Sequence, residues 1–401
     1  MSTITRRVLL VLAFCHLISF AGALKLADIF ADHMVLQRDL AVPVWGWDEP
    51  ATKVTVTFGD QTKETTADED GKWMVRLDPM PANAVSAELN VAGSESLKLT
   101  DILVGDVWLC SGQSNMEWSV KGCLDSRNPD NPVKDEIQAA DFPLIRHVAV
   151  PRLTSYDMAK DSFGKTLTWK TCTPGTVPGF TAVGFFFGRE LHQDLQIPIG
   201  LIHSSWGGTP AEAWTPREAL TALKEGPGLI QFWKKKAAAW DEEKAMEVFD
   251  KKVADWQAKK DAGEKVGHKP RKPVNPIKSP HYPSTLYNAK ISPLIPYAIK
   301  GAIWYQGEAN AGGTRAETYR TLLATMISDW RKQWNQGDFP FGIVQLANYR
   351  DAKKEAVETD HWATLRESQM IVSQKLDKIG LACIIDVGNA KNIHPKDKIT
   401  V

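Results

Sequence analysis

Apolar runs that stop at a small-residue corner recur along most of this chain, and that recurrence limits its fold more than any other feature. Val107-Trp108-Leu109-Cys110 runs into Ser111-Gly112-Gln113-Ser114, Ile199-Gly200-Leu201-Ile202 into Ser204-Ser205-Trp206-Gly207-Gly208, and residues 299–304 into Tyr305-Gln306-Gly307. Two more such runs, at residues 341–347 and 380–385, close the series. Short runs of this kind, separated by stretches of helical spacing such as residues 185–195 and 319–334, read as buried strands alternating with helices. The alternation predicts an α/β fold with a doubly wound parallel sheet. Ligands of an open sheet gather beyond the carboxyl ends of its strands, so Ser114, Gly207, Gly208 and Gln306 are expected along one edge.

Two regions depart from this rhythm. Residues 24–103 alternate at period two, as in Lys53-Val54-Thr55-Val56-Thr57-Phe58, with Gly59-Asp60 and Asp70-Gly71 as turn signals. They predict a small β-sandwich domain with no catalytic constellation, leaving 104–401 as the main domain. Residues 216–284 are rich in Lys, Glu and Ala and place Trp233, Trp240, Phe249 and Trp256 at helical spacing, which predicts a helical insertion in that main domain. Its lysines read as a solvated face.

Charge and composition narrow the function. The 48 basic and 48 acidic side chains cancel, so no electrostatic argument favours a nucleic-acid partner. At the N-terminus, Arg6-Arg7 precede a mostly apolar run over residues 8–20 and the small residues Ala21-Gly22-Ala23, the pattern of a secretory signal peptide occupying residues 1–23. No membrane span is expected after its cleavage, and the mature chain is expected to be secreted or periplasmic. Four cysteines then remain, Cys110, Cys123, Cys172 and Cys383; their spacing is not that of a zinc site, and an oxidising compartment permits disulfides among them in any of three pairings.

The corners together carry a chemistry that none carries alone. Acyl transfer requires an activated nucleophile, a base within hydrogen-bond reach and donors for the developing oxyanion. Ser114 is the candidate nucleophile. Its own backbone N–H, that of Gly207 or Gly208 and the Gln306 amide are the candidate oxyanion donors. His394, on a loop after the last strand, is the candidate base, since a neutral imidazole takes a hydroxyl proton near neutral pH. His203 is its chief rival, although a core histidine is the ordinary account of that residue.

These blocks resemble the SGNH hydrolase superfamily, a flavodoxin-like α/β fold, and within it the sialate O-acetylesterases and related carbohydrate acetylesterases. The resemblance rests on Gly112-Gln113-Ser114-Asn115-Met116-Glu117, Trp206-Gly207-Gly208-Thr209-Pro210-Ala211-Glu212, Trp304-Tyr305-Gln306-Gly307-Glu308-Ala309-Asn310 and Ile393-His394-Pro395-Lys396-Asp397-Lys398. It implies a serine esterase, free of metal and cofactor, that uses water to remove acetyl groups from sialic acid or another acetylated sugar. Gln113, Asn115, Glu308 and Asn310, inside these blocks, are then expected to bind substrate. Acetylxylan is the competing substrate, and a secreted carbohydrate-binding protein without catalysis is the competing class.

Two departures from the resemblance stand out. The superfamily's usual aspartate three residues before the histidine is Lys391 here, and the position two before it is Asn392. Asp386 is the remaining acidic candidate for orienting His394; otherwise Asn392 or a backbone carbonyl must do so, leaving a dyad. The chain also stops seven residues after His394, where the resemblance leads one to expect a closing helix, so a truncated C-terminus is expected.

Overall fold

The computed structural model describes residues 23–124, 132–156, 160–351, 355 and 360–401. The expected signal peptide, apart from Ala23, and most of the loop around residues 128–132 lie outside them.

A mixed sheet holds the larger part of the chain. Its principal strands are β1 (Ser96–Gly112), β2 (Phe142–Ala149), β3 (Lys170–Cys172), β4 (Ile199–Ser205), β5 (Gly301–Tyr305), β6 (Phe341–Val344) and β7 (Ile379–Ala382). They lie side by side in the order β3-β2-β4-β1-β5-β6-β7. All neighbours are parallel except β3, which runs antiparallel to β2 at the edge. The chain leaves β1 first and later fills both flanks, so β1 is the point where strand order reverses and a crevice opens. Gly112 at the end of β1 is in register with Ser205 of β4 and Tyr305 of β5, which sets their three following turns level.

β1 runs through the expected end of the first domain. The expected boundary at residue 103 falls inside this one 17-residue strand. Its first half pairs antiparallel with Asn83–Ala92 and alternates exposure; its second half is almost wholly buried between parallel neighbours. The strands Lys53–Phe58 and Gln61–Thr66 extend the same sheet, while Lys25–Leu26, Val42–Trp47 and Lys72–Leu77 form a separate three-stranded antiparallel sheet. The period-two segments are therefore strands, but one of their two sheets is continuous with the larger, mostly parallel sheet.

Local chemistry fixes the helices. Thr181 caps Ala182–Leu195 by accepting the Gly184 N–H, so this helix begins three residues before its apolar spacing suggests. Its Gly188 lies against Leu201 of β4, where a Cβ would come within 2.7 Å of the leucine. Arg315–Trp334 buries Trp330 edge-to-face on Trp304 of β5, which meets Trp214 in the same way. Many of the tryptophans therefore serve the core rather than a sugar surface.

Within residues 216–284 the helices are Arg217–Ala222, Gly226–Ala238 and Glu242–Asp261, and the stretch after them is largely extended. Gly226–Ala238 and Glu242–Asp261 are separate helices because Asp241 accepts the Lys244 N–H and starts the second anew. The longer of the two has no buried residue. No disulfide joins Cys110, Cys123, Cys172 and Cys383, of which the first three are buried. Among the described residues, no helix is long and apolar enough to cross a membrane, and no group of three or more His, Cys, Asp or Glu side chains is placed to hold a metal ion.

Candidate active site

The corner after β1 depends on Gly112. Its φ is +139°, and a Cβ at this position would lie only 2.2 Å from the Tyr305 carbonyl oxygen, so no side chain fits. The chain then turns at once into the short helix Ser114–Glu117, with the Gln113 N–H held by the Tyr305 carbonyl. Ser114 is the first residue of that helix, where backbone N–H groups have no intrahelical acceptor.

His394 meets this serine from the far end of the chain. Its Nε2 is 2.8 Å from Ser114 Oγ. The imidazole stacks on Trp118, with ring centroids 4.9 Å apart and planes inclined by 18°. Its backbone N–H donates to Asn392 Oδ1, so that side chain shapes the loop and does not orient the ring. Burial, aided by the charge of Lys398, holds the His394 pKa below its ordinary value and keeps the ring neutral.

Asp386 does not take the part of the acid. It is exposed, and no hydrogen bond or ion pair joins it to His394 among the described residues. The strand β7 stops at Ala382, and the turn that follows carries the carboxylate outward. His203 is likewise set aside: it is bonded to Ser205 Oγ at 2.6 Å, and burial pushes its pKa down to about 3, as befits a neutral core residue.

The candidate oxyanion donors divide. Gly207 lies against the serine, since a Cβ there would come within 3.2 Å of Ser114 Cβ. Its N–H, however, donates to Glu117 Oε2 at 2.9 Å, and Glu117 is itself paired with Arg152. The N–H groups of Ser114 and Gly208 have no hydrogen-bond partner among the described residues. Gln306 departs from expectation. Fully buried, it donates to the Thr209 carbonyl and Asn310 Oδ1 and accepts the Tyr319 hydroxyl at 2.7 Å, so its amide is spent on the fold.

The four expected substrate contacts also turn inward. Gln113 Oε1 accepts the amides of Gly307 and Ala309, stapling the β1 corner to the β5 corner. Asn310 Oδ1 accepts the Ala211 N–H while its Nδ2 donates to Glu212, joining the β4 and β5 corners. Asn115 donates to Glu308 and to the Ile393 carbonyl and accepts from Lys398 Nζ at 2.6 Å. Glu308 Oε2 is buried with no partner among the described residues, and burial raises its pKa. Short polar residues on consecutive corners of a parallel sheet face each other as readily as they face a ligand, and here they hold the corners together.

Lys398 and Trp118 were invisible as site residues in the sequence. Lysine four residues after a histidine reads as a solvated charge; in the structure Lys398 is fully buried, 5.0 Å from the centre of the Tyr305 ring, with its pKa lowered to about 8 by burial. Trp118 follows Glu117 in the serine block, and only the arrival of His394 over its face gives it a part.

A hydroxyl bonded to a neutral imidazole, beside unpaired backbone donors at the carboxyl edge of a parallel sheet, is the equipment of a carboxylic ester hydrolase. Comparison with known proteins agrees. Residues 262–383 match the family described as carbohydrate esterase, sialic acid-specific acetylesterase. The sialate O-acetylesterase of Mus musculus is 31% identical over 94% of this chain and 71% of its own length, and that of Rattus norvegicus 30% over the same shares. A carbohydrate acetylesterase from Xanthomonas citri has a similar structure, with a TM-score of 0.73 and 34% identity over 94% of this chain and 72% of its own. The chain belongs to the sialate O-acetylesterase family.

Proposed function

We propose that this chain is a serine esterase of the SGNH type that removes O-acetyl groups from sugar hydroxyls, sialic acids foremost. The observation that carries the reading is the 2.8 Å bond between Ser114 Oγ and His394 Nε2 at the level edge of β1, β4 and β5. Ser114 Oγ attacks the acetyl carbonyl carbon while His394 Nε2 takes its proton. The carbonyl oxygen becomes an oxyanion held by the backbone N–H groups of Ser114 and Gly208. Collapse expels the sugar alkoxide, which leaves with the proton from His394. Water then repeats both steps on the acetyl-serine and releases acetate.

With Asp386 turned away, His394 works as half of a dyad, and the Trp118 face beneath it offsets part of the missing acid. An aromatic face attracts a cation by about 1–2 kcal/mol when partly desolvated, so it favours the imidazolium formed in the transition state. The apolar leader at residues 8–20 and Arg6-Arg7 support a secreted or periplasmic location. Acetate release from a panel of O-acetylated sialic acids and acetylated xylo-oligosaccharides tests the reading. Release by the unmodified chain, and none by Ser114→Ala, is expected; equal release by both contradicts it.

A further inference from the structure

Outside the Ser114 crevice, the helical insertion builds a second surface that the esterase mechanism leaves unused. Three large apolar side chains stand exposed on it, Phe232, Val248 and Val274. Exposed apolar groups gathered in one place mark a binding surface more often than scattered ones do. Val248 and Val274 border a groove of about 730 Å³ between Glu242–Asp261 and the extended stretch after it, floored by Trp233, Trp240 and Phe249, and Phe232 borders the cavity beside it. Lys236, Lys244, Lys252 and Arg271 also line it, with Asp241 the one acidic residue among its lining, so the lining carries an excess of positive charge. The Trp240 Nε1–H within it is buried and has no hydrogen-bond acceptor among the described residues.

The groove is continuous with the active-site edge. A second cavity, about 630 Å³, shares Trp233, Lys236 and Ser279 with it and reaches Gly208, Ala309 and Arg315. His281, on its wall, is bonded through Nε2 to the Gly208 carbonyl at 3.0 Å and so fixes the end of the insertion to the corner beside Ser114.

We propose that the insertion groove is a subsite for an acidic glycan chain, whose acetylated residue sits at Ser114 while neighbouring sugar residues run past Trp233 and on to Trp240. Apolar faces of sugar rings stack on the indoles. Carboxylates along the chain pair with the lysines and Arg271, and a hydroxyl or carboxylate oxygen accepts the Trp240 N–H. A neutral chain gains the stacking without the charge, and a single sugar at Ser114 cannot span the groove. The assignment rests on the esterase reading for the direction of the chain, but the groove's own binding is measurable apart from it.

The test uses full-length Ser114→Ala protein, tryptophan fluorescence as the readout, and three probes: partly O-acetylated oligosialic acid, acetylated xylo-oligosaccharides and an O-acetylated methyl sialoside. The acidic oligomer is expected to bind at least about tenfold more tightly than either other probe, and to weaken steeply with added salt because exposed charge pairs are screened. Trp240→Ala and Lys244→Ala, each checked for an unchanged melting transition, are expected to weaken that binding about tenfold. Equal affinity for the three probes, or no loss in either folded variant, overturns the proposal; so does a groove found closed by a second copy of the chain in sedimentation. Tight oligomer binding with no acetate released by the unmodified protein upholds the groove and defeats the esterase reading, whereas acetate release indifferent to chain length and charge does the reverse.

Discussion

Lys398 Nζ and Asn115 Oδ1 are 2.6 Å apart, buried, and 283 residues distant in sequence. Through this bond and the Asn115 contact with the Ile393 carbonyl, the helix that presents Ser114 grips the loop that presents His394 on both sides of the histidine. The lysine has a second effect, because its charge opposes protonation of His394.

Lys398→Met therefore has a two-part outcome. It leaves Asn115 Oδ1 buried without its donor, at a cost of ~1–3 kcal/mol, and kcat is expected to fall about tenfold as the loop loosens. It also removes a positive neighbour, so the His394 pKa rises. The base must be neutral to act, and activity is lost as pH falls through its pKa. The acid limb of kcat/KM accordingly moves to higher pH in the variant; a purely structural role lowers kcat and leaves that limb in place.

Trp118 acts on the same ring from its face. Trp118→Leu removes the attraction for imidazolium, so the acid limb moves to lower pH and kcat falls about fivefold, for a contribution of about 1 kcal/mol. Trp118→Phe retains part of both. A pH–rate profile of the three proteins gives the order directly.

Asp386→Asn is expected to leave kcat/KM within about twofold of the unmodified value. An orienting acid in a full triad is worth about 10⁴-fold in turnover, so the two cases are far apart. Steady-state hydrolysis of an acetyl ester suffices to separate them.

Gln306→Ala leaves the buried Thr209 carbonyl without its side-chain donor and takes one partner each from Asn310 Oδ1 and the Tyr319 hydroxyl. Its expected effect is a loss of ~2–4 kcal/mol in stability, read as a lower midpoint in urea, with the turnover of the folded fraction nearly kept. A direct oxyanion donor gives the opposite signature, a loss of about 100- to 1,000-fold in turnover with stability nearly intact.

Why Ser114 and His394 were legible and these others were not has a physical explanation. An apolar strand ending at glycine fixes where its corner lies in a parallel sheet, so Ser114, Gly207 and Gln306 could be gathered at one edge from sequence. It does not fix where a side chain on the corner points. Gln113, Asn115, Gln306 and Asn310 have the chemistry of ligands and of buried staples alike, and most of the partners that decide between these roles lie 97 to 283 residues away, although Gln306 also meets Asn310 and Tyr319, 4 and 13 residues on. β1 misled for a related reason: its period-two first half and continuous apolar second half look like two strands, because one strand passes from a half-exposed sheet into a fully buried one. Asp386 was a matter of distance along the chain, which a turn after β7 undid.

The claim on which the rest depends is that Ser114 Oγ is made nucleophilic by His394. Treatment with a fluorophosphonate followed by peptide mass mapping measures it directly: a single adduct on Ser114 is expected in the unmodified chain, absent in Ser114→Ala and slowed by at least about 100-fold in His394→Ala. An adduct on another residue, or labelling of Ser114 at an unchanged rate without the imidazole, contradicts the account.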